Sequence, residues 1–361
     1  AAAEAEAVAA AGERVVDTVP DDLVLAPFSV RFSDDLAHVA YRAENGTGKA
    51  TVVADGRRGP FADRASFAPV VAGPHVAWVA RLGDADHVVA DGVIGAPVRE
   101  ARDLVYAADG SALAYLARVE DGLQIVVAGE PGPIHRVVKA PALSPDGKRV
   151  AYFRDDARGA LTLGDLDERS WDLAVGPVFR PDGALVYAGA RDGAWELVVD
   201  GVATPLAFRP RGAPLVAPDG RTLVFTTRDA SGSHVVIGGS VGPGFARVGD
   251  VAIAADGESA VAAVSAGGTD RWELAPRVAG QPSDPLAAIA SVAISADGAH
   301  RAAAVQRAPG AAWRVERDGI AVAEGLDAVT LLRFDPDGAL VVGGVRGRDV
   351  VVLRRPADGQ E

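Results

Sequence analysis

Gly238-Gly239-Ser240-Val241-Gly242 matches the Gly-x-Ser-x-Gly elbow that presents a serine nucleophile. That chemistry needs a strand, a sharp turn and a helix, with a histidine and a carboxylate to handle the serine proton. Here Pro243-Gly244 follows and no helical periodicity begins, so the segment reads as a hairpin turn. The histidines are His38, His75, His87, His135, His234 and His300, and no two stand four residues apart, the spacing that sets two metal ligands on one helical face. They read as strand or loop residues, although a site assembled from distant parts of the chain stays open. Asp84-Ala85-Asp86, Asp155-Asp156 and Asp165-Leu166-Asp167-Glu168 are acidic clusters without the central glycine and terminal glutamate of a twelve-residue calcium loop. The expectation is solvated loops and no cofactor, with calcium at one of them as the alternative. Asn45-Gly46-Thr47 has the form of a glycosylation acceptor and reads as a turn. The chain has no cysteine, which excludes disulfides, thiolate metal sites and a cysteine nucleophile.

Arginines offer a binding chemistry. Arg31 and Arg333 each stand five residues before the anchor of a repeated turn, and Arg180 stands two positions on in its own repeat. A guanidinium holds a carboxylate or phosphate through paired hydrogen bonds. These three are the candidate ligand-binding residues, with local pairing to aspartates such as Asp34 or Asp335 as the alternative.

The elements that position them follow from an internal repeat. An apolar residue, a small or acidic residue, Pro-Asp-Gly or a variant, and a short apolar strand recur, most clearly at Leu143-Ser144-Pro145-Asp146-Gly147-Lys148-Arg149-Val150-Ala151-Tyr152. Aligned on the glycine, the anchors are Leu36, Gly73, Gly110, Gly147, Gly183, Gly220, Gly257, Gly298 and Gly338, at intervals of 36 to 41 residues. Four or five residues past the anchor stand Tyr41, Trp78, Tyr115, Tyr152, Tyr187, Phe225, Ala262, Ala303 and Val342; six of the nine are aromatic in a chain that is only 6% aromatic. A second turn follows, as in Val52-Val53-Ala54-Asp55-Gly56 and Val88-Val89-Ala90-Asp91-Gly92. Asp-Gly between apolar runs signals a tight hairpin.

Each repeat therefore reads as a four-stranded antiparallel meander, the blade of a β-propeller. The expected fold is all-β: a single β-propeller over residues 13–355, with nine repeat units counted and eight blades as the alternative if the atypical Ala72-Gly73-Pro74 is misread. The recurring aromatic belongs in the core between neighbouring blades. The last repeat lacks its outermost strand, and Glu13–Val19 is expected to supply it and close the fold. Residues 1–12 read as a flexible tether, the chain end after Arg355 as a polar tail, and the segments 275–285 and 308–312 as longer loops.

Composition bounds the partners. Net charge is −13, with 36 basic and 49 acidic residues among 361. Nucleic-acid binding needs a basic stripe, and an anionic membrane surface attracts basic segments, so the charge argues against both. No apolar run approaches the ~18 residues of a membrane span. Lysine occurs only at Lys49, Lys139 and Lys148, and the Ala, Gly, Arg, Val and Asp usage points to a GC-rich bacterium. Methionine is absent even at position 1, which suggests a removed leader or a trimmed chain.

Leu143-Ser144-Pro145-Asp146-Gly147, Phe179-Arg180-Pro181-Asp182-Gly183, Ala217-Pro218-Asp219-Gly220 and Asp335-Pro336-Asp337-Gly338 resemble the repeat of TolB-type β-propellers. The resemblance implies a periplasmic scaffold that binds a partner at a channel mouth, or a propeller domain attached to a serine peptidase; a monomer in the periplasm or outside the cell, binding a protein or small ligand, is expected. It carries over no catalytic residue. The repeats counted exceed those of the six-bladed members, and the separate N-terminal domain of TolB itself is not expected here. A non-catalytic scaffold is the expected function. A lactonase- or lyase-like propeller enzyme with a metal or acid-base site at the channel is one alternative, and a structural part of a cell-envelope assembly is another.

Overall fold

The computed structural model describes residues 12–139, 141–155, 161–163, 167–265, 273–276 and 286–357. Among them the regular structure is strand, apart from one short helical turn at Pro27–Ser29. The chain divides into two compact parts, Ser33–Leu215 and Ala1–Phe32 with Val216–Glu361.

The turns dictate the strands. All nine anchors have positive φ, from +53° at Gly73 to +84° at Gly183, and Leu36, which has no glycine's freedom, is at +59°. In most anchor turns the anchor N–H reaches the carbonyl three residues back, as Gly147 N does to Ser144 O at 2.9 Å. The aspartate before the anchor then accepts the N–H two residues on: Asp109 from Ser111, Asp182 from Ala184 and Asp219 from Arg221, at 2.8–3.0 Å. This side chain mimics a backbone turn, which is why aspartate suits the position. The second turns have positive φ at both central residues, as in Asp55-Gly56, Asp91-Gly92, Asp200-Gly201 and Asp318-Gly319, the twist that matches a hairpin.

Two irregularities of the repeat have backbone causes. Gly73-Pro74 forms a two-residue turn, with Ala72 paired to His75, so the second repeat keeps its hairpin without Pro-Asp-Gly. Arg180 N–Ala184 O and Asp335 N–Ala339 O close loops one residue shorter than Ser144 N–Arg149 O. Tyr187 and Val342 therefore stand one residue nearer their anchors than the other members of the series.

In Ser33–Leu215 the third repeat is a full meander of Glu100–Tyr106, Leu113–Val119, Gly122–Val127 and Glu130–Pro131, and the fifth runs from Leu173–Phe179 to Val202–Leu206. The fourth repeat is split into a pair, Ala142–Leu143 with Val150–Ala151, and a three-stranded sheet of Arg154–Asp155, Leu161–Leu163 and Asp167–Trp171. In the other part the eighth repeat is again a full meander, from Ala288–Ile294 to Ile320–Leu326. Ala328–Phe334, Leu340–Arg346 and Asp349–Arg355 make three strands of the last sheet, and Gly12–Thr18 adds the fourth. Glu13 lies opposite Leu353 and Val15 opposite Val351, with a bulge before Asp17. The N-terminal strand thus covers the edge that the last repeat leaves bare.

Sheet faces bury against each other. Trp78 joins Ala40 and Val52 of the first repeat in one cluster, and Tyr187 joins Phe153, Leu163 and Trp171 of the fourth. Each ring enters the slot shared with the preceding repeat, as expected of an interblade core. Tyr41, Trp78, Tyr187 and Phe225 are buried, whereas Tyr115 and Tyr152 are half-buried. Burying one large side chain contributes roughly 1.5–3 kcal/mol.

Residues 1–11 and 358–361, most of the tether and tail, lie outside the described residues. Pro356 and Ala357 accept hydrogen bonds from the Arg317 guanidinium, so the tail begins anchored to the eighth repeat. Residues 307–312 form a loop, in keeping with the longer connection expected there. Of the segment 275–285, Ala275 and Pro276 end the strand Glu273–Pro276, and 277–285 lie outside the described residues.

Candidate functional site

In Ser33–Leu215 a groove of about 700 Å³ between the first and second repeats is lined by His38, Asp55, Arg57, Arg58, His75 and Asp91. The second turns build its walls. Asp55 accepts the Val39 N–H at 2.9 Å and the Nδ1–H of His38 at 2.8 Å. Asp91 repeats this with Val76 N at 2.9 Å and His75 Nδ1 at 2.8 Å. An ionised carboxylate only accepts, so each imidazole carries its proton on Nδ1. His38 and His75 each stand three residues before the ring of their repeat, Tyr41 and Trp78, and the structure shows why: each tethers the start of its strand to the turn that ends the next. His300 with Asp318, in the other part, makes the same pair at 2.8 Å.

Trp78 lines the groove, and Arg57 and Arg58, on a two-residue strand directly after Asp55-Gly56, are exposed along it. Gly59 closes that strand; a Cβ there would stand 3.1 Å from Val52 O, tighter than most Cβ contacts, so the backbone approaches closely at this point. The His75 ring lies 6.1 Å from that of Tyr106, whose phenol burial and the Asp91 carboxylate push up. Two exposed guanidinium groups over a floor where only an edge of the buried Trp78 shows suit a ligand with a negative group. Sequence reading missed Arg57 and Arg58. The signal was present, since Arg-Arg follows the Asp-Gly turn of the first repeat where the second has Val93-Ile94.

A Ser-His-Asp grouping occurs in the sixth repeat and is not a triad. Ser231 Oγ lies 3.1 Å from His234 Nε2, but Asp229 Oδ1 lies 3.0 Å from the same nitrogen, and His234 Nδ1 donates to Gly242 O at 2.9 Å. In a triad the carboxylate orients Nδ1 and leaves Nε2 for the serine proton. Here Ser231 donates its own proton to Asp229 at 2.7 Å. The Gly242 carbonyl and then Asp229 hold the His234 pKa above its usual value, and the same Ser231 and His234 bonds hold Asp229 well below the carboxylate range. The arrangement latches the outer edge of the repeat, as His87 Nδ1 does to Gly95 O at 2.9 Å in the second. Ser240 follows the two positive-φ glycines Gly238 and Gly239 in a strand-to-strand hairpin, so the elbow pattern is a turn.

The candidate arginines each have local acceptors. Arg31 Nη1 donates to Val30 O at 2.8 Å and Phe28 O at 3.0 Å, and burial lowers its pKa. Arg333 Nε meets Asp335 Oδ1 at 3.2 Å, and Arg180 Nη2 meets Asp182 Oδ2 at 2.9 Å. The short strand Arg31–Phe32 packs on the strand of Arg333, within one part; Arg180 belongs to the other part.

Of the acidic clusters, Asp86 pairs with Arg81 at 3.0 Å and Asp155 with Arg136 at 2.9 Å. Residues 156 and 165–166 lie outside the described residues, as do the side chains of 167 and 168. Among the described residues no group of three metal-ligating side chains occurs, and no helix is long and apolar enough to cross a membrane. Asn45 Oδ1 accepts the N–H groups of Thr47 and Lys49, a turn as expected.

No family model and no curated protein matches the chain. Among solved structures it is similar to the β-propeller domain of the Trilobed protease from Pyrococcus furiosus, described as having an open velcro topology. Identity is 13%, the match covers 94% of this chain and 93% of that one, and the TM-score is 0.41. Among the described residues the chain is all-β apart from one short helical turn, and five of its ten antiparallel sheets are four-stranded.

Proposed function

We propose that the chain is a non-catalytic binding scaffold that takes the anionic group of a protein or small ligand in the groove between its first and second repeats. The observation that carries this is the pair Arg57 and Arg58, exposed beside Trp78 on walls fixed by the His38–Asp55 and His75–Asp91 bonds. A rigid frame supports affinity because little ordering is needed on binding.

Pull-down from the source organism with the Arg57→Ala/Arg58→Ala variant beside wild type tests it. Wild type retains a ligand or partner, and the variant loses it with its melting midpoint unchanged. For Arg31, Arg180 and Arg333 we keep the proposal of an anion contact as the competing site. If Arg31→Ala/Arg333→Ala abolishes capture while the groove variant does not, the ligand sits on the innermost strands and the groove reading fails.

Nine repeats as the blade count, closure through the N-terminal strand, TolB-type kinship, a monomeric state and a periplasmic or extracellular location belong to the same proposal. The repeated turns and the paired N-terminal strand support the first two. Fractionation of the source cells and light scattering check the location and the monomer.

A further inference from the structure

The sixth and seventh repeats border a half-open cleft of about 260 Å³, more apolar than polar, with Ser240, Gly242 and Pro243 also along it. Val235, Ile237 and Phe245 line it from the sixth repeat, and Val251, Ala260 and Ala262 from the seventh. Ala262 occupies the register that carries an aromatic ring in the first six repeats. Where that ring is present it fills the slot against the preceding repeat, as Trp78 and Tyr187 do.

Two other repeats also lack the ring, and neighbours occupy their slots. Ala303 of the eighth packs with Leu274 and Leu286 of the seventh, and Val342 of the last packs with Trp313 and Leu326 of the eighth. Beside Ala262 the described residues supply no such substitute, and the space stays open. Like the slot that holds Trp78, it is lined by valine and alanine side chains. An apolar cavity of about 150 Å³ stays dry and takes benzene, so this one is large enough for a ring with a substituent.

We propose that this slot is a binding site for a neutral, single-ring aromatic molecule, which completes the interblade core as the missing side chain would. The site is separate from the arginine groove and does not depend on it.

Phenol is the probe, with cyclohexanol as a control of equal size that is not flat. In methyl-labelled wild-type protein, phenol is expected to give saturable shift changes confined to Val235, Ile237 and Val251, with a dissociation constant in the millimolar range or tighter. Cyclohexanol should bind at least ten-fold more weakly. Ala262→Phe should weaken phenol binding at least ten-fold and raise the melting midpoint, because the new ring fills the slot. Absence of saturation, shifts spread over other repeats, equal binding of cyclohexanol, or undiminished binding in a folded Ala262→Phe protein would each overturn the assignment. Should Ala262→Phe fail to fold, the wild-type methyl map and the cyclohexanol comparison still decide.

Discussion

Leu36 holds a conformation that its neighbours in the series reach with glycine. At φ +59° a β-carbon crowds the backbone, at a cost of roughly 1–2 kcal/mol. Leu36→Gly is therefore expected to stabilise the protein by about 0.5–1 kcal/mol, the lost half-buried side chain and the looser unfolded chain offsetting part of the relief. Denaturant unfolding reads the change, and a lower midpoint would show that the leucine side chain matters more than its backbone. Gly189 presents the reverse case. A Cβ there would stand 2.2 Å from the Trp171 ring, itself buried against Tyr187 and Phe153. Because the Trp171 ring is fully buried in that cluster, Gly189→Ala should cost about 3 kcal/mol, at the upper end for an overpacked core. A near-neutral effect in the same melts would mean that the Trp171 ring shifts freely. Neither demand could be read from the residue alone: the repeat register pointed to Leu36, but Trp171 comes from a strand that had no part in the repeated phrase.

The strand Gly12–Thr18 is the element whose role is simplest to test. Its partner strand carries Val350, Val351, Val352 and Leu353, all at 1% exposure or less, so an uncovered edge there would present apolar backbone to water. Exposed edges of this kind also template aggregation. Removing residues 1–18 is expected to lower the melting midpoint by well over the ~2–4 °C that 1 kcal/mol represents in larger domains, and to promote association seen by light scattering. An unchanged midpoint would make the strand dispensable. The N-terminal strand was legible because the last repeat came up one strand short. The split of the fourth repeat into two sheets was not legible, since its sequence keeps the full phrase.

Across the whole molecule the turn aspartates act together. Asp35, Asp109, Asp146, Asp219 and Asp297 have lowered pKa values because a serine or threonine hydroxyl, then a backbone N–H, donates to the carboxylate. Asp337 is lowered first by the Ala339 N–H and then by Arg354. A folded pKa below the unfolded value of about 3.9 means that the stabilisation is complete above that pH and lost as pH falls through the folded values. His234 has the opposite sign: its pKa is raised, so its contribution is complete below about 6.5 and lost as pH rises through the folded value. Melting midpoints are therefore expected to fall steeply below pH 4 and to decline slightly above neutrality. Asp219→Asn should soften the acid limb, and His234→Gln should flatten the alkaline one. An acid limb untouched in Asp219→Asn would remove the turns from the explanation.

The sequence by itself determined the local rules. Positive-φ corners at glycine and aspartate, alternating apolar strands and one ring per repeat follow from backbone sterics and burial, which act within a few residues and leave a visible period. It also revealed that His38 and His75 share a place, because that place recurs. Only the tertiary structure decided what those groups meet. The His–Asp bonds join positions 17 and 16 residues apart, and the groove beside Arg57 and Arg58 exists because two sheets pack face to face. The open slot at Ala262 was likewise invisible: an alanine in a strand reads as ordinary core until its neighbours are seen not to fill the space. Such volumes arise from residues brought together by packing, and no spacing along the chain records them.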